Sequence, residues 1–248
     1  APYRPLVQGR IRRRDVLAVS LTGLGASGLV LALHAPATIG LAAVAVLGLA
    51  TYTPFKRRWW AGPAYNAWIV AVLLPLGYVT GVGRSAPVTW SPVLAATLAA
   101  VFFAYANFVL AGYFKDVPAD RATGYRTLPV VFGWRASALV SHGLALLALA
   151  AVGTATWLLI ASVGPALPPP AAGLLGGGVV ATVVAQVELQ RVRRADTAHR
   201  AIAPVVHAYV LLVGGLAALA RPAWGPGLLA FYGAFVLVLS RRPMAEQI

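Results

Sequence analysis

The segment Ala136–Val187, ASALVSHGLALLALAAVGTATWLLIASVGPALPPPAAGLLGGGVVATVVAQV, decides the fold because it contains no charged residue. A helix rises about 1.5 Å per residue and needs about 20 residues to cross a bilayer core. The segment is therefore long enough for two crossings. Between Gly164 and Pro170 it contains four prolines, which remove amide donors and disfavour helix in the residue before each. We predict two membrane helices here, Ala136–Ser162 and Ala171–Leu189.

The 248-residue chain as a whole has the same character, with 60% hydrophobic and 10% charged residues. Soluble domains have about 25% charged residues, so the composition argues against a soluble fold. The sequence predicts an all-α, polytopic transmembrane helical bundle that forms a single domain over residues 1–248, without linkers. The other predicted spans are Val16–Leu33, Thr38–Phe55, Ala64–Val82, Pro92–Tyr113, Ala201–Ala220 and Trp224–Ser240.

Small residues inside the spans predict close helix packing, because apolar burial gives little drive for association in lipid. Examples are Gly23, Gly25, Gly28, Gly176, Gly177 and Gly178.

The distribution of positive charge predicts the orientation. The chain has 20 Lys and Arg residues against 6 Asp and Glu, a net charge of +14. The cations occur in short groups between long apolar runs, which excludes a nucleic-acid partner. If all eight spans cross the membrane, 18 of the 20 cations lie on one side, and only Arg84 and Arg221 lie on the other. Short basic loops stay cytoplasmic, so we expect an integral membrane protein of the bacterial inner membrane with both ends of this chain in the cytoplasm.

Two acidic residues follow the span Pro92–Tyr113 at a spacing that suits metal binding. Asp116 and Asp120 are four residues apart, so a helical turn places both carboxylates on one face. Pro118 suits such a turn if Asp116 caps a short helix. Two carboxylates leave most of the shell of Mg²⁺ open, and substrate phosphate oxygens usually complete it. The pair therefore indicates a phosphorylated substrate. The alternative is that both are solvated charges neutralised by Lys115 and Arg121.

Other polar residues lie inside the predicted spans. Asn66 and Asn107 are expected to face the bundle interior, because an unpaired amide is costly in lipid. His142 and His207 have no second histidine or carboxylate at ligand spacing, so hydrogen-bonded interior roles are expected for them.

Three segments in order resemble the UbiA superfamily of intramembrane prenyltransferases. KDVPADRATGYRTLPVVFG, residues 115–133, resembles the second aspartate motif and the segment after it. RPLVQGRI, residues 4–11, resembles the segment after the first aspartate motif, and YTPFK, residues 52–56, matches the family's Y-x-x-x-K motif. The three segments together span most of the chain from Arg4 to Gly133.

The resemblance implies a bundle around a central cavity, with an active site facing the cytoplasm and Mg²⁺ as cofactor. The donor it implies is an isoprenyl diphosphate, and the acceptor is lipophilic or, more commonly, aromatic. Ionisation of the allylic C–O bond would then be assisted by charge stabilisation on the leaving diphosphate. By position, the metal ligands are Asp116 and Asp120, the catalytic residues are these two and Lys56, and the substrate-binding residues are Tyr52, Lys56, Arg126 and Arg4.

The chain also differs from the family pattern. The first aspartate motif, N-D-x-x-D-x-x-x-D, does not occur in it, so we expect the chain to lack an N-terminal part. Gly112 stands where the family often has Asn or Asp, and Trp224–Ser240 is a helix beyond the usual number.

Two other classes of membrane protein are alternatives to this interpretation. Membrane CDP-alcohol phosphotransferases also use aspartates and Mg²⁺, but their D-x-x-D-G-x-x-A-R signature does not occur here. A non-catalytic isoprenoid-binding or transport protein with the same fold stays open. The sequence leaves undecided the acceptor, the isoprenyl length, the pathway, the role of residues 224–240 and the oligomeric state.

Overall fold

The computed structural model describes residues 5–83, 89–164 and 166–241. Within these ranges the chain forms nine α-helices and no strand. The helices are α1 (Arg13–His34), α2 (Thr38–Arg58), α3 (Gly62–Ala71), α4 (Leu73–Val82), α5 (Pro92–Ala122), α6 (Leu128–Val163), α7 (Pro169–Arg191), α8 (His199–Ala220) and α9 (Gly225–Ser240). When α3 and α4 are counted as one segment, the described part has eight helical segments that are long and apolar enough to cross a membrane. This confirms the predicted all-α transmembrane bundle.

The predicted span Ala64–Val82 consists of two consecutive helices rather than one continuous helix. Helix α3 ends at Ala71 and α4 begins at Leu73. Pro75 explains the break, because it has no amide hydrogen to donate to the carbonyl of Ala71, four residues earlier. Regular helical hydrogen bonding resumes at the amide of Leu76, which donates to the Val72 carbonyl at 3.1 Å.

Helix α5 runs well beyond the predicted span, which ended at Tyr113. It begins where the Ser91 hydroxyl accepts a hydrogen bond from the Leu94 amide at 3.1 Å, and it continues to Ala122. The helix passes through Pro118, so the suggestion that Asp116 caps a separate short helix is wrong. Burial of Phe114 and Val117 offsets the one backbone hydrogen bond that Pro118 removes.

Helix α6 also starts earlier than predicted, but it is not regular throughout. Its first residues, 128–132, are followed by Gly133 with φ 79° and ψ 177°, a conformation that L-residues with a side chain rarely adopt. The regular part of the helix after Gly133 corresponds to the predicted span Ala136–Ser162.

The core lies around α5, which packs against α3, α6 and α8, and between α7 and α8. The seam between α7 and α8 confirms the predicted packing of small residues. A Cβ on Gly178 would lie 2.7 Å from the Leu212 side chain, and one on Gly215 would lie 2.6 Å from that of Leu175. Within the described residues the prediction is wrong for α1, which has no buried residue and open space beside Gly23, Gly25 and Gly28.

Two ends of the bundle can be distinguished. Helices α2, α5 and α7 finish, and α6 and α8 begin, at what we call the basic end, which carries Lys56, Arg126, Arg135, Arg191 and Arg200. A backbone hydrogen bond from Arg126 to the Arg57 carbonyl, 3.1 Å long, joins the α5–α6 loop to the end of α2. We call the other end the opposite end. There α7 and α9 begin, with Gly225 against Pro170.

Candidate functional site

Lys56 lies between the two aspartates at the basic end of the bundle. Its Nζ is 3.9 Å from Oδ2 of Asp116 and 3.6 Å from Oδ1 of Asp120. Helix α2 supplies the lysine and α5 supplies both carboxylates, which face the same way because they are one helical turn apart. The three charged groups predicted from the sequence are therefore brought together. The Lys56 side chain is only 17% exposed, so its charge lies in a partly dehydrated place.

Asp120 is the more buried of the two aspartates. Its side chain is 8% exposed, against 40% for Asp116. The second oxygen of Asp120, Oδ2, accepts a hydrogen bond from the hydroxyl of Thr127 at 2.9 Å, and Thr127 is fully buried. A buried carboxylate is costly unless it is paired, and here Thr127 and Lys56 supply the partners.

A turn after α5 brings Thr127 back to Asp120. Gly124 has φ +72°, in the region where glycine is favoured, and the Tyr125 amide donates to the Asp120 carbonyl at 2.8 Å. Backbone geometry thus fixes the loop against the end of the helix that carries both aspartates.

Two tyrosines form a hydroxyl pair next to the charged groups. The Tyr52 and Tyr113 hydroxyls are 2.9 Å apart. Tyr113 is 3% exposed, and its hydroxyl lies where a Cβ on Gly62 would clash with it. Helix α3 can approach α5 at this point because residue 62 has no side chain.

Aromatic rings also surround the lysine. The Nζ of Lys56 lies 4.6 Å from the centre of the Tyr113 ring and 5.4 Å from that of the Tyr125 ring. Cations are attracted to such ring faces, more strongly where water is excluded. The Lys56 side chain is therefore surrounded by two carboxylates and two aromatic rings.

Helix α5 carries one continuous face from this site into the bundle. Tyr105 and Gly112 precede Asp116 by eleven and four residues, spacings that keep the three residues on one side of a helix. Tyr105 contacts Tyr209 on α8, with ring centres 5.5 Å apart. A Cβ on Gly112 would meet no atom of the described chain within 4 Å, so the face has open space next to Asp116.

The structure does not bring the two remaining predicted substrate contacts, Arg4 and Arg126, into the described cluster for different reasons. Arg4 lies outside the described residues. The Arg126 side chain is exposed and forms no hydrogen bond or ion pair within the described ranges, although its backbone amide binds Arg57. Its role as a substrate contact stays a prediction.

Sequence reasoning missed Tyr113 and Thr127. Tyr113 could have been found, because it lies three residues before Asp116 and seven before Asp120, on the same helical face. Thr127 carries no such signal, since its contact with Asp120 depends on the geometry of the turn at Gly124. No group of three or more His, Asp or Glu residues that could hold a metal alone is found in the described part of the chain.

A second polar cluster lies inside the bundle, away from the charged site. Asn107 is 5% exposed and accepts a hydrogen bond from Ser141, as its predicted interior position requires. His142 bonds Gln186 through Nδ1 and Gln190 through Nε2, and it is therefore a hydrogen-bonded histidine as expected.

Comparison with known proteins identifies the family. The UbiA prenyltransferase family matches residues 1–204, which include the whole site around Lys56, Asp116 and Asp120. The chain belongs to the UbiA prenyltransferase family. The match ends within α8, so α9 lies beyond the part of the chain that the UbiA family matches. As a UbiA protein with eight apolar helical segments, it is an integral membrane protein.

The similar UbiA proteins are named either as an octaprenyltransferase or as a glyceryl phosphate synthase. The 4-hydroxybenzoate octaprenyltransferase of Alkalilimnicola ehrlichii is 31% identical over 61% of this chain and 50% of its own length. The digeranylgeranylglyceryl phosphate synthase of Halobacterium salinarum is 35% identical over 56% of this chain and 49% of its own. The synthase of the same name from Natronomonas pharaonis is 31% identical over 67% and 60%. The chain thus spans about half the length of the first two. No solved structure matches it.

Proposed function

We propose that the chain transfers an isoprenyl group from an isoprenyl diphosphate to an electron-rich acceptor at the basic end of the bundle. The observation that carries this proposal is the position of Lys56 between two carboxylates, at the end of an otherwise apolar bundle. An amphipathic donor fits this arrangement, with its anionic head at the charged cluster and its hydrocarbon tail among the helices. The names of the UbiA relatives support prenyl transfer as the reaction.

Lys56 is the residue proposed to bind the departing diphosphate. Its ammonium group lies in a partly dehydrated place, where electrostatic interactions are stronger than in water. As the C–O bond of the donor breaks, negative charge grows on the diphosphate, and a preorganised cation favours that charge over the ground state. The hydrogen bond between the Tyr52 and Tyr113 hydroxyls keeps the Tyr113 ring in place against the Lys56 ammonium group.

Asp116 and Asp120 are proposed to hold Mg²⁺. The donor set fits such a role only together with substrate, because two carboxylates leave most of the six positions around Mg²⁺ to diphosphate oxygens and water. The bound ion would neutralise charge on the leaving diphosphate. Thr127 keeps the Asp120 carboxylate in place with or without the ion, since its hydroxyl uses only one oxygen of that group.

An aromatic ring is the acceptor that we propose. This proposal rests on the aromatic residues on the inner face of α5. There Tyr105 contacts Phe108 and Tyr209, with ring centres 5.3 and 5.5 Å apart. Aromatic rings pack favourably at these distances, so a flat acceptor could lie against this face in the open space beside Gly112. The relatives' names include both 4-hydroxybenzoate and glyceryl phosphate compounds, so both are acceptor candidates to test.

The active site is proposed to face the cytoplasm, in a bacterial inner membrane. Support comes from the cations grouped at the basic end, because short loops rich in Lys and Arg are retained in the cytoplasm.

A substitution of Lys56 tests the proposal. In Lys56→Met, we expect binding of geranylgeranyl diphosphate to weaken by about tenfold or more, the scale of one lost charge-assisted contact, while binding of geranylgeraniol changes little. Lys56→Arg should restore binding in part, because a planar guanidinium does not replace a compact ammonium. Equilibrium binding of both radiolabelled lipids to the purified protein in micelles measures the difference.

Arg57→Met is the matched control, since Arg57 is adjacent but exposed. Equal losses for the two lipids in Lys56→Met, or no loss, would contradict the diphosphate contact. Selective binding without any transfer to aromatic or glyceryl phosphate acceptors would instead support the alternative, a non-catalytic isoprenoid-binding protein.

A further inference from the structure

Helix α9 forms a lipid-sized groove together with α7 and α8. It begins at the opposite end, where Gly225 is buried against Pro170. Along the rest of its length it leaves a space of about 560 Å³ between the three helices. Such a volume lies within the range of small-molecule sites, and the walls are mostly apolar. They include Gly177 and Ala181 of α7, Pro204 and His207 of α8, and Tyr232 and Val236 of α9.

His207 and Tyr232 are the polar residues of this groove, and they cannot satisfy each other completely. The Nδ1 of His207 is 3.0 Å from the Tyr232 hydroxyl. If the tyrosine donates, the imidazole keeps an unpaired Nε2–H, and if Nδ1–H donates, the tyrosine O–H is unpaired. Neither side chain has another hydrogen bond to any residue that the structure describes. One donor is therefore left over in both arrangements.

The pair lies well inside the hydrocarbon region. His207 is eight residues after the start of α8 at His199, about 12 Å along the helix, and α8 continues for roughly 20 Å beyond it. Tyr232 is seven residues after the start of α9, about 10 Å. An unpaired donor at this depth is costly, because neither water nor the ester carbonyls of phospholipids are at hand. An acceptor atom deep in the membrane would remove that cost.

We propose that the groove binds an isoprenoid quinone, a lipid that carries ring carbonyls on an apolar tail. A ring carbonyl accepts the leftover hydrogen of the His207–Tyr232 pair. The ring lies among aromatic neighbours, since His207 and Phe235 are already in edge-to-face contact with ring centres 5.6 Å apart. The tail follows the small residues of α7, where Gly177 and Ala181 leave room for it. This site is separate from the cluster around Lys56, and it gives α9 a role.

Equilibrium binding of radiolabelled ubiquinone-2 to the purified protein in micelles tests the proposal. The double variant His207→Phe/Tyr232→Phe keeps both aromatic rings but removes every hydrogen-bond donor of the pair, and we expect affinity to fall about tenfold. Tyr232→Phe should cost less, because the imidazole can still donate. Gly177→Leu should abolish binding, because its side chain fills the groove, and its Cβ would meet Leu211 only at an ordinary 3.5 Å. Thermal unfolding establishes that each variant is folded.

Lys56→Met is the control that separates this site from the proposed active site, because it should leave quinone binding unchanged. Equal affinities in the parent protein and the double variant His207→Phe/Tyr232→Phe would overturn the proposal. So would equal competition by squalene, which has no carbonyl, because the groove would then be an unspecific lipid surface. Light scattering that shows a dimer unable to bind the quinone would assign the groove to a second copy of the chain.

Discussion

Asp116 and Asp120 lie on one turn of α5 but in different surroundings. Asp120 is held by Thr127 and Lys56 and is nearly buried, whereas Asp116 is 40% exposed and has Lys56 at the longer distance of 3.9 Å. We infer that Asp120 is the fixed member of the pair and that Asp116 is the member open to an incoming ion.

Substitution of either aspartate by asparagine should remove the effect of Mg²⁺. We expect Mg²⁺ to strengthen geranylgeranyl diphosphate binding in the parent protein but not in Asp116→Asn or Asp120→Asn. Prenyl transfer should fall by roughly 100-fold, the scale of one lost preorganised charge stabiliser. The fold should survive in Asp120→Asn, because the asparagine oxygen can still accept the Thr127 hydrogen bond. Binding titrations with and without Mg²⁺, and turnover with the same donor, measure both effects.

Asp196→Asn is a suitable control, because Asp196 is an exposed aspartate whose ion pair with Arg194 lies in the loop before α8. Unchanged transfer and unchanged Mg²⁺ dependence in both variants at positions 116 and 120 would exclude the metal role.

The residues of the site differ in how far the sequence could predict them. The resemblance to the UbiA motifs predicts Lys56 and the two aspartates together, and the structure places the Nζ of Lys56 within 4 Å of an oxygen of each aspartate. Helical spacing could also have identified Tyr113. Thr127 could not have been identified, because its contact depends on the left-handed backbone of Gly124 and on the tether from Arg126 to Arg57, which no periodic pattern records.

At the scale of elements, α7 and α8 approach each other closely at two glycines. Gly178 and Gly215 each face a leucine of the other helix, and a Cβ on either would also lie 3.0 Å from a backbone nitrogen. Backbone atoms cannot move aside as a flexible side chain can. The two helices can therefore approach this closely only with glycine at both positions.

Gly178→Ala should lower the stability of the protein by about 1–3 kcal/mol, the usual cost of overpacking. Gly176→Ala, two residues away on the same helix, should be neutral or slightly stabilising. A Cβ there meets no atom of the described chain within 4 Å, and alanine favours helix over glycine by about 1 kcal/mol. Thermal unfolding in micelles compares the two variants. Equal transition temperatures would show that the helices separate readily at this seam.

Helix boundaries were predictable where charges end an apolar run and less so where proline intervenes. The span Thr38–Phe55 was located from composition, and α2 extends it by only three residues, to Arg58. Pro75 and Pro118 were ambiguous in the sequence, because a proline can break, bend or simply interrupt a helix. Tertiary packing favours continuation at Pro118, where α5 runs on through buried residues, whereas the helix before Pro75 is interrupted between Ala71 and Leu73.

At the scale of the whole molecule, the basic end and the candidate site coincide. Lys56 is at once part of the charge asymmetry that predicts orientation and the centre of the proposed diphosphate site. A positive end attracts an anionic donor and anionic lipid headgroups from the same side of the membrane. If the basic end faces the cytoplasm, the site must take its donor from there.

Single cysteines can establish the orientation, because the chain contains no cysteine of its own. Thr123→Cys and Asp196→Cys are exposed positions at the basic end, and Thr89→Cys and Ala223→Cys are exposed positions at the opposite end. None of the four removes a cation, so each leaves the charge asymmetry that sets orientation in place. We expect a membrane-impermeant maleimide added to intact cells to label positions 89 and 223 only. Permeabilised cells should give labelling at all four, which is the control for reactivity. Labelling of position 123 or 196 in intact cells would place the basic end outside, and Lys56 would then have no access to a cytoplasmic diphosphate.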